Sequence, residues 1–556
     1  MNVCMIVYNN ATKDGRVMRE AHSLRAAGHA VTVIGIPDPE AKAPVEYLED
    51  GVRVLRVLWQ ARAYRKLLWT GLFRALPILA VIGFAVYELY RLAKWLFVAG
   101  GPLARASNSV QATFATAWPT GWLDAAFKAL IVLAALAILY LLWRMLRMYL
   151  AVLAKSWEMR ASEDDTIRRY AASFFREGAL QSEFPSIKSR IPDWIPDWLL
   201  EIALEPLDWF GAKTGRFSLY RYRSEEMAAL AIKLRPDVVH CHDCAALPTG
   251  WLIKQKLNIP LVYDAHEIYE AAAARTFGVT DYYIRVHRKY LSRVDAFITI
   301  NESAALYYRC AYPAAPSAVV IRNAMNVAPI EPYDGRLHRA AGLPPSEKIL
   351  LYQGGFTQDR GLPTLVRAGP MLPDGWSLVM MGSGPLAGEL KQIASISASR
   401  AGRKSESVEG KVRFVRSVPP RELLAWTQGA AAGIIPYENK MLNHWISTPN
   451  KLWEYPNAGV PLIVQPFPEM RRVVETYHCG WVLPDELSPG AIADLIASLT
   501  DAMLARAREG CRRFMERDSW SATYEGRLLE IYERLAAKAG ATAPLQSSLS
   551  PARAAT

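Results

Sequence analysis

Ser447-Thr-Pro-Asn-Lys-Leu-Trp-Glu-Tyr-Pro-Asn-Ala-Gly-Val-Pro461 reads as a loop that turns into a helix and then a strand. Ser447 or Thr448 offers a capping hydroxyl, and Pro449 fits the first helical position, where its missing N–H is harmless. The spacing predicts a helix from about Asn450 to Asn457, ended by Gly459, and then a buried strand over Pro461-Leu-Ile-Val464. Such a helix start aims free N–H groups and a partial positive charge at one point, which suits a phosphate. Glu454 lies about one turn in, on the Asn450 face, where a carboxylate can hold two sugar hydroxyls. An ordinary capped helix packed on a sheet has the same spacing.

Upstream, Lys348-Ile-Leu-Leu-Tyr352 is a strand leading into Gln353-Gly-Gly-Phe-Thr-Gln-Asp-Arg-Gly361. Gly354 and Gly355 let backbone approach a diphosphate, and Arg360 adds a fixed charge with a fork of donors. Lys451 can add to that charge. Ser377-Leu-Val-Met-Met381 before Gly-Ser-Gly-Pro385 repeats the strand-to-glycine design. Gly382 and Gly384 either admit a nucleotide base or phosphate or make a plain tight turn. Val412-Arg-Phe-Val415, a helix over 422–431, Gly433-Ile-Ile-Pro-Tyr437 and helices over 468–475 and 491–499 continue the alternation. Residues 331–519 therefore predict one α/β domain.

The N-terminal part has the same pattern. Asn2-Val-Cys-Met-Ile-Val-Tyr8 is an apolar strand, 16–27 an amphipathic helix, and Ala30-Val-Thr-Val-Ile-Gly35 a second strand. Met1–Ile6 opens that strand and Asp14 and Arg16 soon follow, so a leader peptide is not expected. The loop lacks Gly-x-Gly-x-x-Gly, which argues against a dinucleotide oxidoreductase. Arg16 either meets an anionic acceptor or donor phosphate or is a solvated helix-start arginine. After residue 215, a helix over 224–234 precedes Arg235-Pro-Asp-Val-Val-His-Cys-His-Asp243. A helix over 247–256 then leads to Ile259-Pro-Leu-Val-Tyr-Asp-Ala-His-Glu267. Both strands end in polar clusters, and ligands of open α/β sheets bind at those ends. His242, Asp243, Asp264, His266 and Glu267 lie there. His240-Cys-His-Asp-Cys244 looks like a metal cluster, but its side chains alternate along a strand and cannot all converge on one ion. No second ligand pair has the usual spacing, so no metal is expected.

Residues 61–214 do not belong in such a domain. Residues 75–87 and 129–143 are free of charge, and Arg and Lys residues flank the pair on both outer sides. Fifteen helical residues span only about 22 Å of the roughly 30 Å hydrocarbon core, but long basic side chains extend that reach. The charge asymmetry predicts a hairpin (about 75–98 and 129–150) with both outer ends in the cytoplasm. A shallow re-entrant pair or a buried soluble pair are the alternatives. Ile191-Pro-Asp-Trp-Ile-Pro-Asp-Trp-Leu-Leu200, with Trp209 and Phe210, reads as an interfacial helix or as one packed on the domain. Residues 540–556 read as a disordered tail.

The chain has 556 residues, 51% of them hydrophobic, 17 tryptophans and a formal charge of +12. No arginine-rich run or nucleic-acid module is present, so the charge points to lipid headgroups and phosphates, not nucleic acid. The six cysteines are scattered, which suits a reducing compartment.

Thr448-Pro-Asn-Lys-Leu-Trp-Glu-Tyr455 with Ala458-Gly-Val-Pro461 resembles the donor segment of retaining glycosyltransferases of family 4, in a Pro-Asn-Lys-Leu-Phe-Glu-Tyr subgroup. Asp14-Gly-Arg-Val-Met-Arg-Glu20 is similar to the opening of many such enzymes. The resemblance covers roughly 1–60 and 215–537. It implies a GT-B fold, α/β with two Rossmann-like domains facing a cleft: 1–60 with 215–330, and 331–519. Residues 520–539 would form the helix that crosses back to the first domain. It also implies that Glu454 holds the donor ribose, that Asn450 belongs to the donor site, and that His266 lines the reaction centre. His242, Asp243 and Glu267 would line the acceptor side. The usual Glu, seven residues, Glu pattern is broken by Ile446; Asn443, His444 and Ser447 are the nearby polar candidates. Gly355 stands where the family has Arg, and Arg360 where it has Lys.

Together these readings predict a membrane-associated retaining glycosyltransferase at the cytoplasmic face of the inner membrane. It would take a nucleotide sugar, use no cofactor or metal, and serve a lipid-linked or otherwise membrane-held saccharide acceptor in envelope or exopolysaccharide assembly. A non-catalytic GT-B-like membrane scaffold and a GT-B nucleotide-sugar epimerase are the alternatives.

Overall fold

Continuous apolar runs suit parallel strands that are covered on both faces. The computed structural model describes residues 1–36, 43, 45–57, 220–272, 279–400 and 410–538. The expected hairpin, the rest of the 61–214 insert and the tail at 540–556 lie outside the described residues. Among the described residues no helix is long and apolar enough to cross a membrane.

The N-terminal strands are β1 (Asn2–Ile6), β2 (Ala30–Gly35), β3 (Val45–Tyr47) and β4 (Arg53–Arg56). After the insert come β5 (Val238–His242), β6 (Leu261–Ala265), β7 (Ala296–Thr299) and β8 (Ala318–Val320). They form one sheet in the order β3-β4-β2-β1-β5-β6-β7-β8. Only β3 pairs antiparallel. In β1, Val3 lies beside Val31 on one side and Val238 on the other. The order reverses between β1 and β5, so the loops after those two strands flank a crevice.

The second sheet uses β9 (Lys348–Gly355), β10 (Trp376–Ser383), β11 (Val412–Val415), β12 (Ala432–Ile435), β13 (Leu462–Val464) and β14 (Gly480–Val482). Its order is β11-β10-β9-β12-β13-β14, all parallel. This is the doubly wound Rossmann arrangement, with its switch point between β9 and β12. Gly354 and Gly355 extend β9 and pair with Gly382 and Ser383, so they are strand-end residues, not loop glycines.

The chain then returns to the first sheet. A π turn at Trp520–Tyr524 leads into the helix Glu525–Lys538. Trp520 Nε1 donates to Ser23 Oγ at 2.9 Å, Arg527 Nη1 donates to the Val320 carbonyl at 2.8 Å, and Tyr532 Oη meets His240 Nδ1 at 3.0 Å. All six cysteines are free thiols, five of them buried.

Candidate active site

At the switch point of the second sheet, Tyr455 fixes the short helix Lys451–Asn457 against the strands. Its ring lies on Gly433, where any Cβ would overlap the ring carbons. Its hydroxyl donates to the Leu351 carbonyl at 3.0 Å and accepts from the Gln353 N–H at 3.1 Å. That anchoring brings Glu454 over the end of β9. Gln353 Nε2 donates to Glu454 Oε2 at 2.8 Å, and Thr427 Oγ1 donates to Gln353 Oε1 at 2.7 Å. One carboxylate oxygen is thereby held in place, while Oε1 has no hydrogen-bond partner among the described residues.

Lys451 is only 6% exposed. Its Nζ lies 5.4 Å from the Tyr352 ring centre and 5.8 Å from that of Tyr437. The Arg360 guanidinium stands 5.2 Å from the same Tyr437 ring. Among the described residues neither cation pairs with a carboxylate. Gly354 has φ +123°, and a Cβ there would sit 2.9 Å from Lys451 Nζ. Its exposed backbone and that of Gly355 thus lie beside two cations held by aromatic side chains and by no carboxylate among the described residues. That combination suits a diphosphate.

Several expectations change at this site. The helix itself follows its expected span, Lys451–Asn457 with Asn450 already at helical φ/ψ, but its caps do not. Ser447 does not cap the helix because its hydroxyl donates to the His444 carbonyl at 2.9 Å. Thr448 faces Asn301 of the first domain. Gly382 and Gly384 serve the neighbouring strand: a Cβ at either would strike the backbone of Gly354 or Phe356. Ile446 presents no polar group to a donor; its side chain is buried, and its carbonyl accepts from Asn301 Nδ2 at 2.7 Å. His444 contacts the Glu438 carbonyl at 3.3 Å.

The first domain contributes a polar cluster at the ends of β5 and β6. His266, 17% exposed, sits between two carboxylates. Its Nδ1 is 3.2 Å from Asp243 Oδ1 and its Nε2 is 3.0 Å from Asp264 Oδ2. Burial pulls this imidazole down, but Asp243 and Asp264 together outweigh it and raise the group to about 9. His266 is therefore an imidazolium near neutrality, donating from both nitrogens. Asp243 has φ +69°, and the Tyr269 hydroxyl donates to its carboxylate. His242 is fully buried, with Nδ1 3.3 Å from His266 Nε2. Burial and then Asp243 push Glu267 up to about 7.

Arg16 meets neither a phosphate nor solvent. It is 3% exposed and bound in bidentate fashion to Asp264 (2.7 and 2.8 Å), with Nη1 donating to the Ile321 carbonyl at 2.7 Å. The reason lies in the turn before it. Asp14 caps the helix Gly15–Ala26 and points Arg16 across the crevice at β6. Arg16 and His266 hold Asp264 well below the usual carboxylate range against the opposing effect of burial. Glu20, one turn on, lies 3.3 Å from Arg16 Nε, and burial and then Asp264 raise it to about 8.

The two groups meet through amide side chains. Asn443 Oδ1 accepts from the Ile268 N–H at 3.0 Å, while Nδ2 donates to the Ile268 carbonyl at 3.0 Å and to Glu267 Oε2 at 3.3 Å. Asn450 Oδ1 accepts from Asn323 Nδ2 at 2.7 Å, and Arg19 donates to the Asn323 carbonyl oxygen Oδ1. Gln353, Tyr352, Tyr437 and Arg19 were not singled out as site residues by the sequence reading. Only Gln353, just before Gly354-Gly355, carried a positional hint.

The paired His266 has a measurable consequence. Its folded value lies above the ordinary 6.5, so its contribution is fully present below pH 6.5 and is lost as pH rises through about 9. The protein is expected to lose about 3 kcal/mol of stability across that window relative to His266→Gln. Urea unfolding at pH 6, 7.5 and 9 checks it, and parallel curves for the two proteins would exclude the imidazolium.

Comparison with known proteins bears on the fold and its domains. Residues 201–324 match a glycosyl transferase 4-like domain, and residues 347–502 match the glycosyl transferases group 1. The D-inositol 3-phosphate glycosyltransferase of Corynebacterium diphtheriae is 28% identical over 292 residues, 50% of this chain and just under two thirds (65%) of that protein. The Thermomonospora curvata protein of the same name is 25% identical over 53% of this chain and 71% of its own. Among solved structures, sucrose-phosphate synthase from Thermosynechococcus elongatus superposes with a TM-score of 0.55 at 15% identity, over 97% of this chain and 100% of its own. A Rickettsia africae glycosyltransferase gives 0.53 at 10% identity, over 96% and 98%. Two matched glycosyltransferase domains thus lie on two doubly wound sheets in a GT-B-type fold.

Proposed function

We propose that the protein is a membrane-attached retaining glycosyltransferase that moves a sugar from a nucleotide sugar to a membrane-held saccharide acceptor. One observation carries the donor half of this reading. Lys451 and Arg360, two cations without a carboxylate partner among the described residues, flank the exposed Gly354–Gly355 backbone next to Glu454. The diphosphate lies against those cations, and Glu454 Oε1 accepts from the ribose hydroxyls. The bond from the anomeric carbon to the phosphate oxygen breaks as the acceptor oxygen bonds to that carbon on the same face. The acceptor proton passes to the leaving phosphate. Lys451 and Arg360 stabilise the charge that develops there, and His266 orients the sugar or the reacting hydroxyl. No metal or cofactor is needed for this step in our reading.

The acceptor half rests on the sequence of the insert, whose two uncharged runs with basic flanks suit a membrane hairpin. Envelope or exopolysaccharide assembly at the cytoplasmic face of the inner membrane is the matching setting. A second reading, a phosphorylated polyol acceptor, has its own observation. Among the described residues Arg19 forms no ion pair, and burial and then Arg16 lower it to about 10. It reaches the cleft through Asn323 and Asn450. The relatives act, by name, on D-inositol 3-phosphate.

Membrane extract containing the protein, incubated with labelled nucleotide sugars, tests both. Label entering the lipid fraction supports the first reading, and label joining added inositol phosphate in the aqueous phase supports the second. Glu454→Ala is expected to lower either transfer by about 10²-fold or more. Diphosphate binding with no transfer, hydrolysis or epimerisation from any donor would sink catalysis and favour a scaffold.

A further inference from the structure

Behind His266 lies a group of buried side chains that the reaction above does not use. Glu20, His240, His242 and Asp264 are all fully buried. One possible ligand atom from each lies within 4.8 Å of the others. Both carboxylate oxygens of Glu20, Nε2 of His240 and Nε2 of His242 are buried without a hydrogen-bond partner. Buried polar atoms are rarely left so, and here four fall on three adjacent side chains. The motif His240-Cys-His242 explains part of the geometry. Alternation along β5 puts the two imidazoles on one face, stacked with centroids 4.3 Å apart, and sends Cys241 to the other. The sequence reading that alternation prevents convergence holds for the cysteines but not for the histidines. Their companions come from the helix Gly15–Ala26 and from β6, far away in the chain.

The surroundings suit a cation. The other ring nitrogen of His240 is fixed by the Tyr532 hydroxyl at 3.0 Å, as the outer nitrogen of a ligating histidine commonly is. Nδ1 of His242 faces Asp264 Oδ2 at 3.4 Å and His266 Nε2 at 3.3 Å. Nearby stand Arg16, Arg19 and His266 against Asp14, Asp243, Asp264 and the carboxyl groups of Glu20 and Glu267. Arg16 lines one edge of the cluster, bound to Asp264 and 3.3 Å from Glu20 Oε1, while the other Glu20 oxygen, Oε2, faces His240 Nε2 at 3.8 Å.

We propose that Glu20, His240, His242 and Asp264 form a buried structural site for a first-row divalent transition metal. Mixed imidazole and carboxylate donors favour zinc. The ion ties the helix Gly15–Ala26 to β5 and β6 directly beneath His266. It touches neither donor nor acceptor, so it is independent of the donor chemistry above.

Because the site is buried, metal enters during folding. The full chain is unfolded, refolded with Co²⁺ or Zn²⁺ and dialysed against a chelator. Metal content is then measured by mass spectrometry, and the visible bands of Co²⁺ report its coordination. The wild type is expected to retain one metal per chain with a low-symmetry Co²⁺ spectrum. Glu20→Gln and, separately, His242→Asn are expected to lose both while keeping their far-ultraviolet circular dichroism. Should one variant fail to refold, the other carries the comparison. A wild type that keeps no metal, or variants that keep as much as the wild type, overturns the proposal; the orphan atoms then belong to a metal-free carboxyl–imidazole cluster.

Discussion

Lys451→Met is expected to lower kcat/KM for the nucleotide sugar by about 10²–10³-fold, equivalent to roughly 3–4 kcal/mol of transition-state stabilisation. The argument runs through burial. Lys451 is 6% exposed, has ring faces on two sides and no carboxylate partner among the described residues. A cation held this way is costly in the free protein, since its desolvation is offset only by about 0.5–2 kcal/mol of ring attraction. An incoming diphosphate removes that cost, and the attraction grows as charge collects on the leaving group. Methionine keeps the length and volume of the stem. The variant should therefore unfold in urea no earlier than the wild type while its turnover falls. Lost stability with unchanged turnover would assign Lys451 to packing instead. Arg360→Gln should have a smaller effect, because that side chain is only half-buried.

Arg16→Met has the largest expected effect on stability, about 3–5 kcal/mol. Both Asp264 oxygens receive a hydrogen bond from the Arg16 guanidinium, and the pair is almost wholly buried. Removing the cation leaves Asp264 beside Glu20 without its main partner. Arg16→Lys recovers only part of the loss, since an ammonium cannot donate two parallel bonds. The double change Arg16→Met with Asp264→Asn should cost less than the sum of the single changes, because both members of one pair are then gone. The first urea transition of the four proteins measures this. A loss below about 1 kcal/mol for Arg16→Met would show that another group neutralises Asp264.

What was legible depended on distance along the chain. Ala30–Gly35 and Val412–Val415 form strands at the bounds their sequence suggests, because each is a short run rich in valine, isoleucine or phenylalanine with clear turn or charge signals at its ends. The βαβ alternation of both domains follows from the same local signals. Arg16 was misread because its partner is 248 residues away, and only the sheet order brings β6 beside the start of the first helix. The Ser447 cap was misread because a hydroxyl near a helix start has two possible acceptors, and here the preceding turn takes it. Gly382 and Gly384 carried an ambiguity that composition cannot resolve. A glycine that admits a ligand and one that admits a neighbouring strand look alike until β9 is placed next to β10. Asn443 was noticed as a polar side chain near Ile446, but its contacts with Ile268 and Glu267 join the two domains and follow from neither alone.

The segment Trp520–Lys538 gives the chain an unusual timetable. Ser23, His240 and the Val320 carbonyl all wait for partners on it. On a ribosome adding about 5–20 residues per second, Tyr532 emerges roughly ten to forty seconds after Val320, the last residue of the first sheet. For that interval the first sheet is made but one of its covers does not yet exist, while the whole second domain is synthesised and can fold ahead of it. The usual order of domain maturation, first made and first finished, is reversed. The nascent first domain is therefore the part of this enzyme that would most need a holding chaperone.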